Sequence, residues 1–210
     1  MKLAIFGATG GTGQHLVHQA CAAGFDVTAV VRNPARLADR PNLSVVQADV
    51  MDPVQIEGAI AGCDAVISAI GPREGRTPTT VCEDSASAII TAMRACGARR
   101  LVVVSNSGMV VDEGDDLVTR YAVKPILGRV LRHEFADMRR MEQLVTTSGL
   151  DWTIVRPPRL TDRPHTGRYR TAINRNVRRG YVVARADVAD LVLRCLDDER
   201  STRTTVAIAN

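Results

Sequence analysis

Residues 1–14 read MKLAIFGATGGTGQ, and this stretch decides the fold that we predict for the chain. Residues 3–6 form an apolar run of the length of a buried strand, while Leu16, Val17 and Ala20 recur at helical spacing after it. A glycine-rich segment, residues 7–13, lies between the two. A strand, a glycine-rich loop and a helix in this order are typical of the start of a dinucleotide-binding βαβ unit.

The glycine-rich segment suits a pyrophosphate, which needs hydrogen-bond donors at close range. The first turn of a helix has unpaired N–H groups and a partial positive charge. Glycines here allow a tight turn out of the strand, close approach of the phosphates and close packing of the helix on the sheet. The alternative is a glycine-rich turn without a ligand. The predicted contacts are Gly7, Thr9, Gly10, Gly11, Thr12 and Gly13.

The composition is that of an ordinary globular protein. The chain has 210 residues, of which 45% are hydrophobic and 24% are charged, enough for one domain over residues 1–210 with a sizeable core. No apolar run approaches the roughly 20 residues of a membrane span, and Lys2 leads directly into the first strand without a signal peptide. We therefore expect a cytoplasmic protein without a membrane partner.

Charge and cysteine content exclude further classes. The formal net charge of +4 attracts anionic ligands such as nucleotide phosphates. Aromatic residues make up only 3% of the chain, so nucleic acid, which needs stacking platforms on a basic face, is not an expected partner. The five cysteines are widely spread and form no C-x-x-C pair, which predicts reduced, mostly buried thiols and no metal site.

The end of the second strand predicts the choice of cofactor. Residues 26–31 are apolar and β-branched, and they lead into Arg32 and Arg36. Sites that prefer NAD place an acidic residue here to bind the adenosine ribose. A guanidinium suits a 2′-phosphate instead, because it offers paired donors. We therefore predict NADPH (NADP+) as the cofactor, although Arg36 has the alternative of being a solvated helix residue.

The ends of the later strands predict the rest of the site, because ligands bind outside the carboxyl ends of strands in open α/β sheets. Asp49 and Val50 are expected at the adenine; the alternative is that Asp49 only caps a helix, as we expect for Asp52. The strand over residues 65–70 leads to contacts with the ribose and nicotinamide, and the strand over 101–104 leads to a polar cluster at the substrate. These residues are, in order, Ala69, Ile70, Gly71 and Arg73, then Ser105, Asn106 and Ser107.

The alternation of short apolar runs with helical patterns predicts an α/β protein with a Rossmann-like, doubly wound parallel sheet and a small C-terminal substrate-side region. Helices are predicted over residues 14–23, 53–61, 78–97, 134–148 and 187–196, with Asp187 opening the last one, and final strands over 152–155 and 204–209. Segments 109–133 and 157–183 are predicted to form the substrate side or a lid. The acidic residues 112–116 are expected to form a mobile loop.

With these residues assembled, the whole chain resembles the atypical short-chain dehydrogenases/reductases with NmrA-like members. Within that group it is most similar to the type of the NADPH-dependent flavin reductases and biliverdin-IX-beta reductases. The matching stretches include IFGATGGTG at 5–13, VVRNPARL at 30–37, SGLDWTIVRPP at 148–158, TDRPHTGRY at 161–169 and RADVADLVLRCL at 185–196.

The resemblance implies that the glycine-rich segment and Arg32 hold the phosphates of the cofactor. It also implies that residues 157–160 frame the substrate side, with Pro157 and Pro158 touching the cofactor.

The chain departs from the family at the expected proton donor. Catalytic short-chain dehydrogenases use a Tyr-x-x-x-Lys pair, whereas Tyr121 and Lys124 are one residue too close, and Met138 stands where related chains place the lysine. Arg159 replaces the histidine that follows the paired prolines in biliverdin-reducing relatives.

These departures favour an acceptor that needs no dedicated protein acid. We expect hydride transfer to a flavin-, quinone- or linear tetrapyrrole-like acceptor, positioned by Ser105, Asn106, Ser107 and Arg159. The alternative is a redox-sensing regulatory protein that binds NADP(H) without turnover, as NmrA-like proteins do. A monomer or a homodimer is expected.

Overall fold

The computed structural model of the protein describes residues 1–72, 77–112 and 114–210. The strands are β1 (Lys2–Phe6), β2 (Asp26–Val31), β3 (Leu43–Gln47), β4 (Ala65–Ser68), β5 (Arg100–Val104), β6 (Asp151–Arg156), β7 (Arg159–Thr161), β8 (Arg170–Ile173), β9 (Val182–Ala184) and β10 (Thr204–Ala209). The helices are α1 (Gly11–Ala22), α2 (Pro53–Ile60), α3 (Val81–Cys96), α4 (Lys124–Val130), α5 (Arg132–Thr147) and α6 (Arg185–Asp197).

The main sheet has the order β3-β2-β1-β4-β5-β6-β10-β8. All neighbouring strands are parallel except β8, which runs antiparallel to β10 at one edge. Strands β2 and β3 lie on one side of β1, whereas β4 and β5 lie on the other, so the strand order reverses between β1 and β4. The predicted doubly wound, Rossmann-like fold is confirmed.

Helices cover both faces of this sheet, which explains why its central strands are apolar without alternation. In β1, Leu3 and Ile5 pack in the core on the side of α1 and α6, and Ala4 and Phe6 pack in the core on the side of α2, α3 and α5. All four side chains are buried. Within the described ranges, no helix is both long enough and apolar enough to span a bilayer.

The predicted elements are recovered with shifted boundaries. Helix α1 begins at Gly11 rather than at residue 14, so the last glycines of the loop belong to its first turn. Strand β4 ends at Ser68, which leaves Ala69 and Ile70 in the following loop. The strand over residues 204–209 is as predicted. The short strands β7, β8 and β9 were not predicted, because three or four residues carry little periodic signal.

The expectation of a mobile acidic loop is wrong for the described part of residues 112–116. Both carboxylate oxygens of Asp115 lie 2.7 Å from Nζ of Lys124, and the two side chains are only 5% and 7% exposed. The carboxylate of Asp112 accepts a hydrogen bond from the backbone N–H of Asn176 at 2.8 Å. These partners are distant in the chain, so the run of acids alone did not reveal them.

Asp187 does not open the last helix, as the sequence analysis expected. Helix α6 begins at Arg185, and the buried carboxylate of Asp187 binds the preceding segment instead. It accepts hydrogen bonds from the backbone N–H groups of Thr166 (2.8 Å) and Gly167 (3.0 Å) and from the Thr166 hydroxyl (2.8 Å). Asp187 thereby fastens the loop after β7 to the first turn of α6.

The cysteines are free thiols, as predicted, but only two of them are fully buried. Cys82, on α3, lies in the core on the side of α5, and Cys195, on α6, lies in the core on the side of α1. Burial raises the pKa of the Cys195 thiol to about 11 and raises that of Cys82 further, with a contribution from the nearby Asp137 carboxylate. Both thiols therefore remain protonated at neutral pH.

Asp137 of α5 caps a neighbouring helix. Its buried carboxylate accepts hydrogen bonds from the backbone N–H groups of Cys82 at 3.0 Å and Glu83 at 2.9 Å, at the start of α3. We predict that Asp137→Ala lowers the free energy of unfolding by about 1–3 kcal/mol, since two buried amides lose their acceptor. Urea unfolding measures this, with Asp39→Ala as the control at an exposed carboxylate. Equal midpoints for the two variants would contradict the assignment.

The contact between α1 and the loop after β1 is the tightest packing at a glycine that we find in the described chain. A Cβ on Gly13 would lie 2.0 Å from the carbonyl oxygen of Gly7. We predict that Gly13→Ala destabilises the protein by about 3 kcal/mol or more, because the backbone has no room to yield. Gly58→Ala is the matched control inside α2, where an added Cβ meets nothing within 4 Å. It should raise stability by roughly 0.5–1 kcal/mol in the same thermal or urea melt.

Candidate functional site

A cleft of about 460 Å³ opens at the carboxyl edge of the sheet, where the strand order reverses between β1 and β4. Such reversal points are where open α/β sheets bind their ligands. The cleft brings together the predicted residues Gly7, Thr9, Gly10, Arg32, Arg36, Asp49, Val50, Ala69, Ile70 and Gly71. Gly11, Thr12 and Gly13 lie in the adjoining first turn of α1. Arg73 lies outside the described residues.

The floor of the cleft is built from two backbones in close contact. Gly7 has a φ of +76°, and a Cβ there would lie 2.7 Å from the backbone of Ala69 in the loop after β4. Only glycine therefore lets the two loops meet. Helix α1 begins after Gly10 without a side-chain cap, which leaves the N–H groups of its first turn available to an anion. This donor set and the bare backbone fit the diphosphate of a dinucleotide.

Two arginines stand at the wall of the cleft beyond β2. The side chain of Asn33 accepts a hydrogen bond from the N–H of Ala35 at 3.1 Å and caps a short 3-10 turn, Pro34–Arg36. Arg36 therefore lies in a capped turn that lines the cleft, and it is exposed there, so its role at the cofactor stays a prediction. Within the part of the chain that the structure describes, neither Arg32 nor Arg36 forms a salt bridge.

The two aspartates after β3 have different roles. The carboxylate of Asp52 accepts hydrogen bonds from the N–H of Val54 (3.0 Å) and caps α2, as predicted. A hydrogen bond from the Gln55 side chain also holds the pKa of Asp52 below its ordinary value. Asp49 lines the cleft, and one of its oxygens accepts from the N–H of Met51 at 3.0 Å. Asp49 is thus fixed at the cleft by its own turn.

A second cavity of about 460 Å³ lies at the carboxyl ends of β5, β6 and β10, farther along the same edge of the sheet. Of the predicted substrate residues, Asn106, Ser107 and Arg159 line it. Pro158 lines this cavity and not the cleft, and Pro157 lines neither, so the contact of these two residues with the cofactor stays a prediction. The two prolines follow β6, which lies two strands away from the cleft. The apolar part of the wall consists of Val123, Leu127, Leu131, Phe135, Val177, Ala207, Ile208 and Ala209.

Ser105 is the first residue after β5, the strand between β4 and β6. Its N–H donates to the carbonyl of Val155 at 2.8 Å, and the residue is only 4% exposed. Its Oγ is the one buried side-chain polar atom in the described chain without a hydrogen-bond partner. An unpaired buried hydroxyl is unfavourable by about 1–3 kcal/mol, and Ser105 lines neither the cleft nor the second cavity, so its predicted role at the substrate stays a prediction.

The polar groups in the wall of the second cavity were missed by the sequence analysis as a set. Lys124 lines it, but its ammonium donates to Asp115 and to the carbonyl of Val110. The hydroxyl of Tyr181 donates to the carboxylate of Asp116 at 2.7 Å, and this bond raises the pKa of the tyrosine. No local pattern links these residues, because their partners are fixed only by the fold.

The geometry also separates the two residues that resembled a displaced Tyr/Lys pair. Tyr121 is 72% exposed and does not line the second cavity, whereas Lys124 is buried and ion-paired. Tyr181, the tyrosine that does line the cavity, has its proton engaged by a carboxylate and a raised pKa. Among the described residues of this cavity, no tyrosine is activated as an acid by a neighbouring cation.

Comparison with known proteins agrees with this geometry. Residues 7–199 match the NAD(P)H-binding family. The chain is 31% identical to an uncharacterised chloroplastic protein of Arabidopsis thaliana over 99% of its own length and 76% of that protein. It is 30% identical to an uncharacterised sugar epimerase, YhfK, of Bacillus subtilis over 96% of this chain and 90% of that protein.

A solved structure shares the fold throughout. A wide-type short-chain dehydrogenase/reductase from Veillonella parvula, in complex with NADP, superposes with a TM-score of 0.80 at 20% identity, covering 100% of this chain and 94% of that one. Other relatives of the chain are named as reductases. The chain therefore belongs to the NAD(P)H-binding family.

Proposed function

We propose that this protein is an NADPH-dependent reductase that transfers hydride to a flavin-, quinone- or linear tetrapyrrole-like acceptor. The observation that carries the proposal is the position of the apolar second cavity, which lies beside the cofactor cleft along one edge of the sheet. Ser105 follows β5, the strand next to β4.

The wall of the second cavity favours a flat, largely apolar acceptor over a sugar. Leu127, Leu131 and Phe135 present hydrocarbon on one side, and Val177 and Ile208 present it on the other. A sugar carries a hydroxyl on nearly every carbon, and each hydroxyl buried without a partner is unfavourable. The aromatic ring of a flavin or quinone instead gains free energy when it leaves water for such a wall.

The ionisable groups of the cavity support the same class of acceptor. NADPH, when bound, supplies a hydride. An electron-poor ring accepts hydride without a protein acid, and water can then provide the proton. Lys124 and Tyr181 are both engaged with carboxylates, so neither is free to protonate a substrate. The chain then has to bind the cofactor and the acceptor, orient them toward each other and exclude water.

Charged residues at the two ends of the site suit the anionic parts of its ligands. Arg32 and Arg36 suit the 2′-phosphate that distinguishes NADPH from NADH, because a guanidinium binds phosphate through paired donors. Arg159 is exposed at the second cavity and suits the phosphate of FMN or a carboxylate of a tetrapyrrole.

We predict oxidation of NADPH by at least one of FMN, riboflavin, dichlorophenolindophenol and biliverdin in steady-state assays. Leu127→Gln should raise KM for that acceptor about tenfold, since it places an amide in the apolar wall, while the Kd for NADPH stays unchanged. Ile126→Gln is the matched control one residue away, because Ile126 is 59% exposed and does not line the cavity. Tight NADP(H) binding without turnover of any acceptor would instead support the redox-sensing alternative.

We predict that Arg32→Ala weakens binding of NADPH about tenfold or more and leaves the Kd for NADH nearly unchanged, because only NADPH carries the 2′-phosphate. Fluorescence titration of the reduced nicotinamide measures both constants. Arg129→Ala removes the same charge from an exposed position outside the cleft and should change neither. An Arg32→Ala variant with wild-type affinity for NADPH would refute this basis for cofactor preference.

A further inference from the structure

We propose that Arg185, the first residue of α6, is a second binding residue for the diphosphate of the cofactor, beside the first turn of α1. The proposal rests on the binding of a dinucleotide in the cleft and not on the identity of the hydride acceptor. It concerns a residue that lies more than 170 positions from the glycine-rich segment in the sequence.

The position of the Arg185 side chain is set by helix packing. Helices α1 and α6 lie side by side on one face of the sheet, and the side-chain amide of Gln19 donates to the carbonyl of Ala186 at 2.9 Å. Helix α1 follows the parallel strand β1, and α6 precedes the parallel strand β10. Both helices therefore begin at the carboxyl edge of the sheet. The start of α6 is therefore beside the start of α1.

Arg185 lies directly against Gly11, the first residue of α1. A Cβ added to Gly11 would meet the Cδ and Nε of Arg185, each at 2.7 Å. The arginine thus fills the space that any other residue at position 11 would need for its side chain. This contact places a guanidinium next to the uncapped amides that suit a diphosphate.

Most hydrogen-bond donors of Arg185 remain available. Its Nη1 lies 2.5 Å from the carboxylate of Asp162, and this is its one side-chain hydrogen bond to the described residues. A guanidinium has five N–H donors. The side chain of Asp162 is 87% exposed, whereas that of Arg185 is 28% exposed. An ion pair with so exposed a carboxylate contributes little to stability, so it does not account for an arginine held across Gly11.

Apart from Asp162, the nearby acids have partners other than Arg185. Asp187, also in the first turn of α6, is fully buried, and its oxygens accept from Thr166 and Gly167. Asp190 accepts from the hydroxyl of Tyr169 and pairs with Arg194. Arg185 therefore keeps unpaired N–H donors beside the first turn of α1, where the helix presents the positive end of its dipole.

Arg185 and Arg32 are expected to recognise different parts of the cofactor, and this gives the test. The diphosphate is common to NADPH and NADH, whereas the 2′-phosphate belongs to NADPH alone. Arg185→Gln should weaken both cofactors by a similar factor, roughly five- to tenfold. It should not change the inhibition constant of 2′-AMP, which has a 2′-phosphate but no diphosphate.

The dissociation constants are measured by nicotinamide fluorescence, and 2′-AMP by competition. Arg194→Gln is the matched control, because it removes the same charge from the same helix at a surface ion pair with Asp190. The proposal requires Arg194→Gln to bind both cofactors like the wild type. A change of less than twofold for Arg185→Gln, or an equal loss of 2′-AMP binding, overturns it.

A second variant keeps the charge but moves it. Gly11→Ala forces the flexible Arg185 side chain away from the first turn of α1 and should weaken NADPH and NADH together, while Gly58→Ala should weaken neither. Unchanged affinities in Gly11→Ala would overturn the proposal even if Arg185→Gln folded poorly. Because every readout is a binding constant, failure to turn over an acceptor would contradict the proposed function and leave this test intact.

Discussion

The structure depends on the close approach of the backbone at Gly13 to the backbone at Gly7. A Cβ added to Gly13 would lie 2.0 Å from the carbonyl oxygen of Gly7. This contact seats the first turn of α1 on the loop that leaves β1. Gly7 makes the corresponding contact with Ala69, so the loops after β1 and β4 meet at the point where the strand order reverses. The cleft exists because two glycines omit their side chains, and the uncapped amides of α1 face it for the same reason.

The parallel sheet then determines how the two parts of the site are arranged. Its strands carry their functional loops at one edge, so the ends of β1 to β4 form the cofactor cleft, and the ends of β5, β6 and β10 form the second cavity. The lining of the first part includes glycine backbone and two arginines, and the lining of the second part is largely apolar. A charged, water-soluble cofactor and a flat, apolar acceptor have these two requirements.

The sequence was sufficient for features that depend on neighbouring residues. The apolar runs of β1 and β10, the glycine-rich segment and the arginine after β2 could all be placed, because strand period, backbone sterics and strand-end position are local properties. Other contacts could not be predicted from the sequence. These are the hydrogen bonds that Asp137 accepts from α3, the one that Asp187 accepts from Thr166, and the Lys124–Asp115 ion pair. Each contact joins residues whose proximity is set by packing. The sequence alone does not distinguish a buried aspartate from an exposed one.

The state of the cysteines has a consequence for the proposed acceptors. Quinones are electrophiles that add to thiolates, so a protein that binds them is exposed to alkylation by its own ligand. Within the described residues, neither the cleft nor the second cavity is lined by a cysteine. Cys82 and Cys195 are buried, and their raised pKa values keep the unreactive thiol form. Burial thereby protects these two thiols from alkylation by the quinones proposed as acceptors.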